Sequence, residues 1–407
     1  MAAVSVNNPK FLQLHLLTSY PAALLNRDDA GFAKRIPFGG STRTRISSQC
    51  LKRHWRIFGG EFALSKLGIL SVRSRYTFNE EICKPLIAAG SNEVVARAVT
   101  EALASVVLGQ SAKAEKEKGA ADGAGELKTG QITVLGRPEI EFFLQQAKEI
   151  MKSITDIKSA KKVIEAHFKN KEIKANIEAM KKADAGLDAA LFGRMVTSDY
   201  LARGDAAIHV AHAMTVHGEA AESDYFSAVD DLQKLASDEQ LGSGHIGNVE
   251  LNSGLYYGYV VVDIPLLVSN LTGCDQKKWL EADRTLAVKV IESLIHLIAT
   301  VSPGAKLGST APYAYSHLVL AEAGNAQPAT FANAFLKPVS DRGDLLANAY
   351  KDLADYIADL DGMYGVRNER CFAGMKDVSN IATAVGAGKI SLGALATWAA
   401  GKVKGAA

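Results

Sequence analysis

Residues 11–58 read FLQLHLLTSYPAALLNRDDAGFAKRIPFGGSTRTRISSQCLKRHWRIF, and their reading decides the fold. In residues 11–18, Leu12, Leu14 and Leu16 alternate with Gln13 and His15, the period of a β-strand. Pro21 ends that strand. Residues 26–44 read as a polar loop carrying Gly31, Gly39 and Gly40. Ser47 or Ser48 is suited to cap a helix running to about Phe58. On that helix Leu51, Trp55 and Phe58 fall at i, i+4 and i+7 and make a core face. Gln49, Lys52, Arg53 and Arg56 occupy the face beside it.

Moving outward, residues 61–110 read as helical, and residues 111–130 form a charged, glycine-containing insert poor in apolar side chains. Residues 139–192 read as helical again and are rich in lysine. Residues 207–217 and 254–264 read as strands. The acidic excursion between them, residues 218–253, shows no clear periodicity. An amphipathic helix over 279–301 follows, then a strand over 313–321, helices over 331–336 and 345–360, and an Ala/Gly-rich tail that packs as a short helix. With the helical insertion removed, the order approximates βαββαβ, the ferredoxin-like pattern, within an α+β chain. That pattern is shared by many RNA-binding modules and by itself assigns no function.

The chain has 407 residues, with 48% hydrophobic and 22% charged side chains, an ordinary globular composition. Its most apolar run, residues 259–268, is cut by Asp263 and Pro265, so no membrane span is expected. The N-terminus carries no basic-then-apolar leader, which makes the sequon at Asn270 accidental. Cys50, Cys83, Cys274 and Cys371 include no C-x-x-C pair and fit a reducing cytoplasm. The formal net charge is +2, but from Arg27 to Arg56 eight basic residues face only Asp28 and Asp29, a local net of +6. The remaining chain therefore carries −4. Such asymmetry points to a polyanionic partner.

Several motifs allow competing readings. Gly242, Gly244 and Gly247 match G-x-G-x-x-G but lack the preceding strand and following helix of a dinucleotide site. His209, His212 and His217 lie too far apart along an extended strand to share one metal, and read as core or partner-facing residues. Cys50 and His54 stand at i, i+4, with Lys52, Arg53 and the helix N-terminus expected to lower the thiol pKa. No third residue orients the pair, and a small buried cysteine is the alternative. Asp28, Asp29, Asp224, Asp230 and Asp231 could bind Mg²⁺, or simply solvate loops and pair with arginines. No cofactor or metal is expected. Lys52 and Arg56, one helical turn apart, can address successive phosphates, supported by Arg27, Lys34, Arg43 and Arg45. With little aromatic interleaving, this segment reads as a backbone grip, not a base-stacking platform. The lysines over 148–182 make either a solvated face or a basic wall toward nucleic acid.

The motifs LHLLTSYPAALLNRDD, FGGSTRTRISSQCLKRHWR, GRMVTS, HVAHAMTVH, SDYFSAVDDL and PGAKLGSTAPY resemble, in order, those of the CasC family, the guide-RNA-binding backbone subunits of the type I-E CRISPR Cascade complex. The resemblance spans about residues 11–335. It implies a modified RNA-recognition palm (residues 1–59, 193–217 and 254–407), inserted helical fingers (60–192) and a protruding thumb (218–253). It also implies a non-enzymatic protein whose copies stack along guide RNA beside other Cascade subunits, presenting the guide to target DNA. On matching positions, Arg27, Lys34, Ser47, Gln49, Lys52, Arg53 and Arg56 would contact the guide. Met195 and Phe226 would be apolar wedges beside a displaced nucleotide, with core packing as the alternative, and Lys306 a further phosphate contact. The finger lysines Lys161, Lys162 and Lys169, which do not align position by position, would face target DNA. Type III relatives cut target RNA with an acidic residue after the first strand, so a metal-dependent nuclease using Asp28 or Asp29 is the competing function.

Overall fold

The computed structural model describes residues 6–109, 127–154, 159–181, 185–195, 198, 200–201, 203–228, 245–304 and 307–405. Its strands are β1 (Phe11–Ala23), β2 (Arg35–Phe38), β3 (Ser41–Ile46), β4 (Val72–Ser74), β5 (Thr133–Leu135), β6 (Ile208–Val210), β7 (Ala213–Thr215), β8 (Ala221–Ala228), β9 (His245–Asp263), β10 (Ser316–Gly324) and β11 (Glu369–Gly374). The chain divides into two compact units, one of residues 1–63, 209–264 and 288–407, the other of residues 64–208 and 265–287.

The first unit is built on an antiparallel sheet of order β11-β10-β1-β9-β7-β3-β2, with β6 and β8 also pairing β9. Taking β1, β7, β9 and β10 with the intervening helices Ser48–Ile57 and Thr285–Thr300 reproduces the βαββαβ plan. Leu51, Trp55 and Ile298 of those helices line one cavity with Leu16, Tyr256, Gly258 and Val260 of the sheet. The opposite face is sealed as well. Leu17, Tyr257, Leu318, Leu320 and Phe372 pack against Phe331, Phe335 and the helix Leu345–Tyr364 through Tyr350, Leu353 and Ile357. The alternation read in β1 therefore separates two buried faces, not a buried face from a wet one.

Burying the polar face requires partners for each group. Gln13 accepts from the Tyr259 hydroxyl at 2.6 Å and from the Ala329 amide at 2.8 Å. His15, wholly buried and stacked on Phe331 at 3.9 Å, lies 2.8 Å from the Tyr257 hydroxyl through Nδ1 and 3.3 Å from Glu322 through Nε2. The Glu322 carboxylate can only accept, so Nε2 of the neutral ring carries the proton and Nδ1 accepts from the Tyr257 hydroxyl. Arg370 continues the chain, donating to Glu322 at 2.6 Å and to Asp361 at 2.9 Å.

Acid should loosen this network. Loss of hydration pushes the His15 pKa below its ordinary 6.5. Burial opposes ionisation of Glu322, yet His15 and Arg370 outweigh it and hold that carboxyl below its ordinary 4.5. For both groups the unfolded chain binds protons more readily than the native one, so stability falls as pH falls. The His15 share is lost from about pH 6.5 downward and the Glu322 share below about pH 4.5. Melting temperatures between pH 7 and pH 4 should show both parts. His15→Gln should flatten the upper one, and an unchanged slope above pH 5 in that variant would contradict the assignment.

Two sequence expectations are corrected here. Residues 26–44 are not one loop, because β2 and β3 form a hairpin, Arg35 opposite Thr44 and Phe38 opposite Ser41. Gly39 and Gly40 are its two turn residues, with φ of 60° and 78°, the positive values a type I′ turn needs. The excursion over 218–253 is likewise ordered at its base, where β8 pairs β9 from Ala221–Asn252 to Ala228–His245. The strand expected over 207–217 is two short ones, and β11 had no counterpart in the sequence reading.

The second unit has its own core. Phe78, Val99, Leu103, Val107, Phe143, Ile150, Ile164 and Phe168 bring together the helices Glu93–Leu108, Arg137–Met151 and Ala160–Lys169, beside the small β4–β5 pair. Inside it the Arg194 guanidinium forks onto the Glu139 carboxylate at 2.6 and 2.9 Å. Asn270 donates to the carbonyls of Ala190 and Asp205. Among the described residues no helix is long and apolar enough to cross a membrane.

Candidate nucleic-acid interface

The basic segment is assembled from three pieces of the first unit. The turn after β1 is closed by Asp28, whose amide donates to the Phe32 carbonyl and whose carboxylate accepts from the Phe32 amide at 2.9 Å. Asn26 then ties this turn to the basic helix, its side-chain oxygen accepting from the Ser47 amide at 2.9 Å and its carbonyl from the Lys34 amide. Ser47 caps the helix Ser48–Ile57 by accepting from the Cys50 amide, as its position predicted. Trp55 is buried, while Leu51 and Phe58 are only partly so.

The structure sorts the eight basic residues. Arg43, expected on the surface as a phosphate contact, is fully buried. Its guanidinium donates to the carbonyls of Phe38, Thr215 and Phe335 at 3.3, 3.2 and 2.9 Å. It leaves the set because the segment after the helix-like turn Ala332–Phe335 closes over β3 (a Cβ on Gly39 would lie 1.5 Å from the Leu336 carbonyl oxygen). Arg35 is neutralised by Glu250 at 2.6 Å and by Glu219. Glu250 also accepts from the Ala33 amide and Asn252, which fixes the base of the β8–β9 hairpin to β2.

Arg27, Arg53 and Gln49 are exposed, while Lys34, Arg45, Lys52 and Arg56 are half-buried. Arg45 donates to Nδ1 of His212 at 2.8 Å, and since a guanidinium has no acceptor, that nitrogen is unprotonated. The His212 pKa is lowered by burial first and then by the positive charges of Arg45, Lys34 and Lys52. His212 thus reports a field of like charges drawn from β3, the loop and the helix. In the sequence it was indistinguishable from its neighbours His209 and His217. A cluster of like charges favours counterions or a polyanion beside it.

A family model described as CT1975-like protein matches residues 12–398. The chain belongs to the CT1975-like protein family. Its fold is similar to a chain of a solved CRISPR RNA-guided surveillance complex, pre-nicking, at 26% identity and a TM-score of 0.74, covering 96% of this chain and 100% of that one. It is also similar to a chain of a CRISPR RNA-guided surveillance complex at 23% identity, a TM-score of 0.67, and coverage of 96% and 99%. No curated protein matches the sequence.

The other expected positions of this CT1975-like chain fall as follows. Met195 is 89% exposed, which removes the core-packing reading. Lys161, Lys162 and Lys169 are exposed on the helix Ala160–Lys169, whose Ile164 and Phe168 are buried. Phe226 sits in β8 opposite Gly247. Lys306, Asp230, Asp231, Gly242 and Gly244 lie outside the described residues. Cys50 corrects the expected activation. Burial pushes its thiol up to about 11, outweighing Lys34 and Arg53, and His54 Nδ1 lies 2.8 Å from the Cys50 carbonyl. Among the described residues no three His, Cys, Asp or Glu side chains are grouped to hold a metal.

Proposed function

We propose that this chain is the guide-RNA-binding backbone subunit of a Cascade-type CRISPR surveillance complex of the type I-E kind. In this reading it is a structural, non-enzymatic protein working in the cytoplasm, and its copies stack along the guide and hold it for pairing with target DNA. The observation that carries the reading is the set of basic side chains, Arg27, Lys34, Arg45, Lys52, Arg53 and Arg56, that the first unit leaves outside its core, with Arg45 held on His212. The likeness to a chain of an RNA-guided surveillance complex over nearly the whole length supports it.

In this assignment the sheet unit is the palm, a modified RNA-recognition fold. Both sheet faces are covered, so the guide lies along the basic helix and loop, not across the strands. The β8–β9 hairpin is the thumb, with Phe226 near its outer half, and Met195 is an exposed wedge. The helical unit is the fingers, with Lys161, Lys162 and Lys169 turned to target DNA. Asp28, which serves the turn, has no role in cleavage.

The test is assembly. The purified chain, alone and co-expressed with guide RNA, is run by size exclusion and its nucleic acid sized and sequenced. Particles of several copies on guide RNA, with protein mass rising with guide length, are expected. A monomer that carries no RNA under both conditions sinks the proposal.

A further inference from the structure

The segment entering β10 carries two side chains that nothing so far has used. Tyr313 is 74% and Tyr315 64% exposed, and among the described residues neither ring stacks on another. Large aromatic groups left in water at neighbouring positions of a rigid segment are unusual unless they meet a partner. The segment is rigid. Ala314, between them, is held at both its backbone groups by one hydroxyl, its amide donating to Ser302 Oγ at 2.9 Å and its carbonyl accepting from it at 3.0 Å. Ala314 also packs inward against the cluster of Tyr20, Ile46 and Tyr256 that receives Cys50 and Leu51 of the basic helix. Exposure alternates along residues 313–316, so the two tyrosines share the outward side.

Their spacing suits one kind of guest. Residues i and i+2 of an extended run stand about 6.6 Å apart, at ~3.3 Å per residue. A flat base can be taken up between two such rings and stack face to face on them, as bases do on aromatic side chains. The platform also lies beside the phosphate-gripping helix, since the Gly304 amide approaches His54 Nε2 at 3.4 Å and Ser302 holds Ala314 in place. We infer that Tyr313 and Tyr315 form a stacking clamp for one unpaired nucleobase of the strand whose phosphates the basic helix holds. This rests on the proposed RNA-binding function and adds base stacking beside a segment read as a backbone grip.

The test compares wild type, Tyr313→Ala/Tyr315→Ala and Tyr313→Phe/Tyr315→Phe, all on exposed positions, binding two fluorescent RNA 12-mers of equal charge. One is oligouridine and the other has abasic riboses throughout. The alanine pair should bind oligouridine about tenfold more weakly than wild type and the abasic strand equally well, with the phenylalanine pair restoring the loss. Equal weakening on both strands, or none on either, overturns the clamp. A shift of the RNA-free alanine variant in size exclusion, with unchanged oligouridine affinity, would assign the tyrosines to a protein contact and overturn it too. A wild type that binds neither strand removes the RNA-binding function itself, a result separable from loss of the clamp alone.

Discussion

Arg43→Ala is expected to destabilise the sheet unit by about 3–5 kcal/mol, the largest stability loss of any basic residue in the segment. The guanidinium is wholly enclosed and answers three backbone carbonyls, two of them in segments 172 and 292 residues away. Alanine removes all of these donors at once, and each buried carbonyl left without a partner costs about 1–3 kcal/mol. It also leaves a void where a long, wholly buried side chain lay. Arg43→Lys should recover only part of the loss, because one ammonium cannot reproduce a planar fork. Urea unfolding followed by circular dichroism measures the effect. Arg45→Ala, two residues along the same strand, serves as the contrast, with near-normal stability and weaker RNA binding. An Arg43→Ala protein as stable as wild type would refute the structural role.

Reversing both charges at Lys52→Glu and Arg56→Glu is expected to weaken RNA binding on the order of 100-fold near physiological salt. Each phosphate contact contributes about 0.7 to the slope of log affinity against log salt for single strands. Losing two should therefore flatten that slope by about 1.4. Direction separates this from unfolding, since a misfolded protein loses affinity without a defined change in slope. Lys52→Gln with Arg56→Gln should show the same slope change with a smaller loss of affinity. Fluorescence anisotropy across a salt series reads both quantities. Unaltered slope in the reversed variant would place the RNA elsewhere on the molecule.

What could be read in advance depended on how local the cause was. The alternation of β1 and the Ser47 cap are set within a few residues, and both stood in the sequence. The charge excess was visible too, but its division was not. Arg43 and Arg45 share a strand, a residue type and a threonine neighbour. What distinguishes them is the closure of residues 335–336 over one and not the other. The β8–β9 pairing escaped notice because residues 221–225 of β8 are exposed on both sides, so no hydrophobic period marks them. Cys50 was misjudged because neighbouring charges can be counted in a sequence and desolvation cannot.

The central position of β1 has a consequence for synthesis on the ribosome. Its two partners are β9, ending at Asp263, and β10, spanning Ser316–Gly324. The first strand to emerge is thus left without its second neighbour until nearly 300 further residues have followed it. At ~5–20 residues per second that interval is roughly 15–60 s. Meanwhile the helical unit, with a core drawn largely from residues 78–201, can close by itself. A newborn chain therefore carries an apolar, unpaired strand through most of its translation, and the demand for chaperone shielding should centre on residues 11–23.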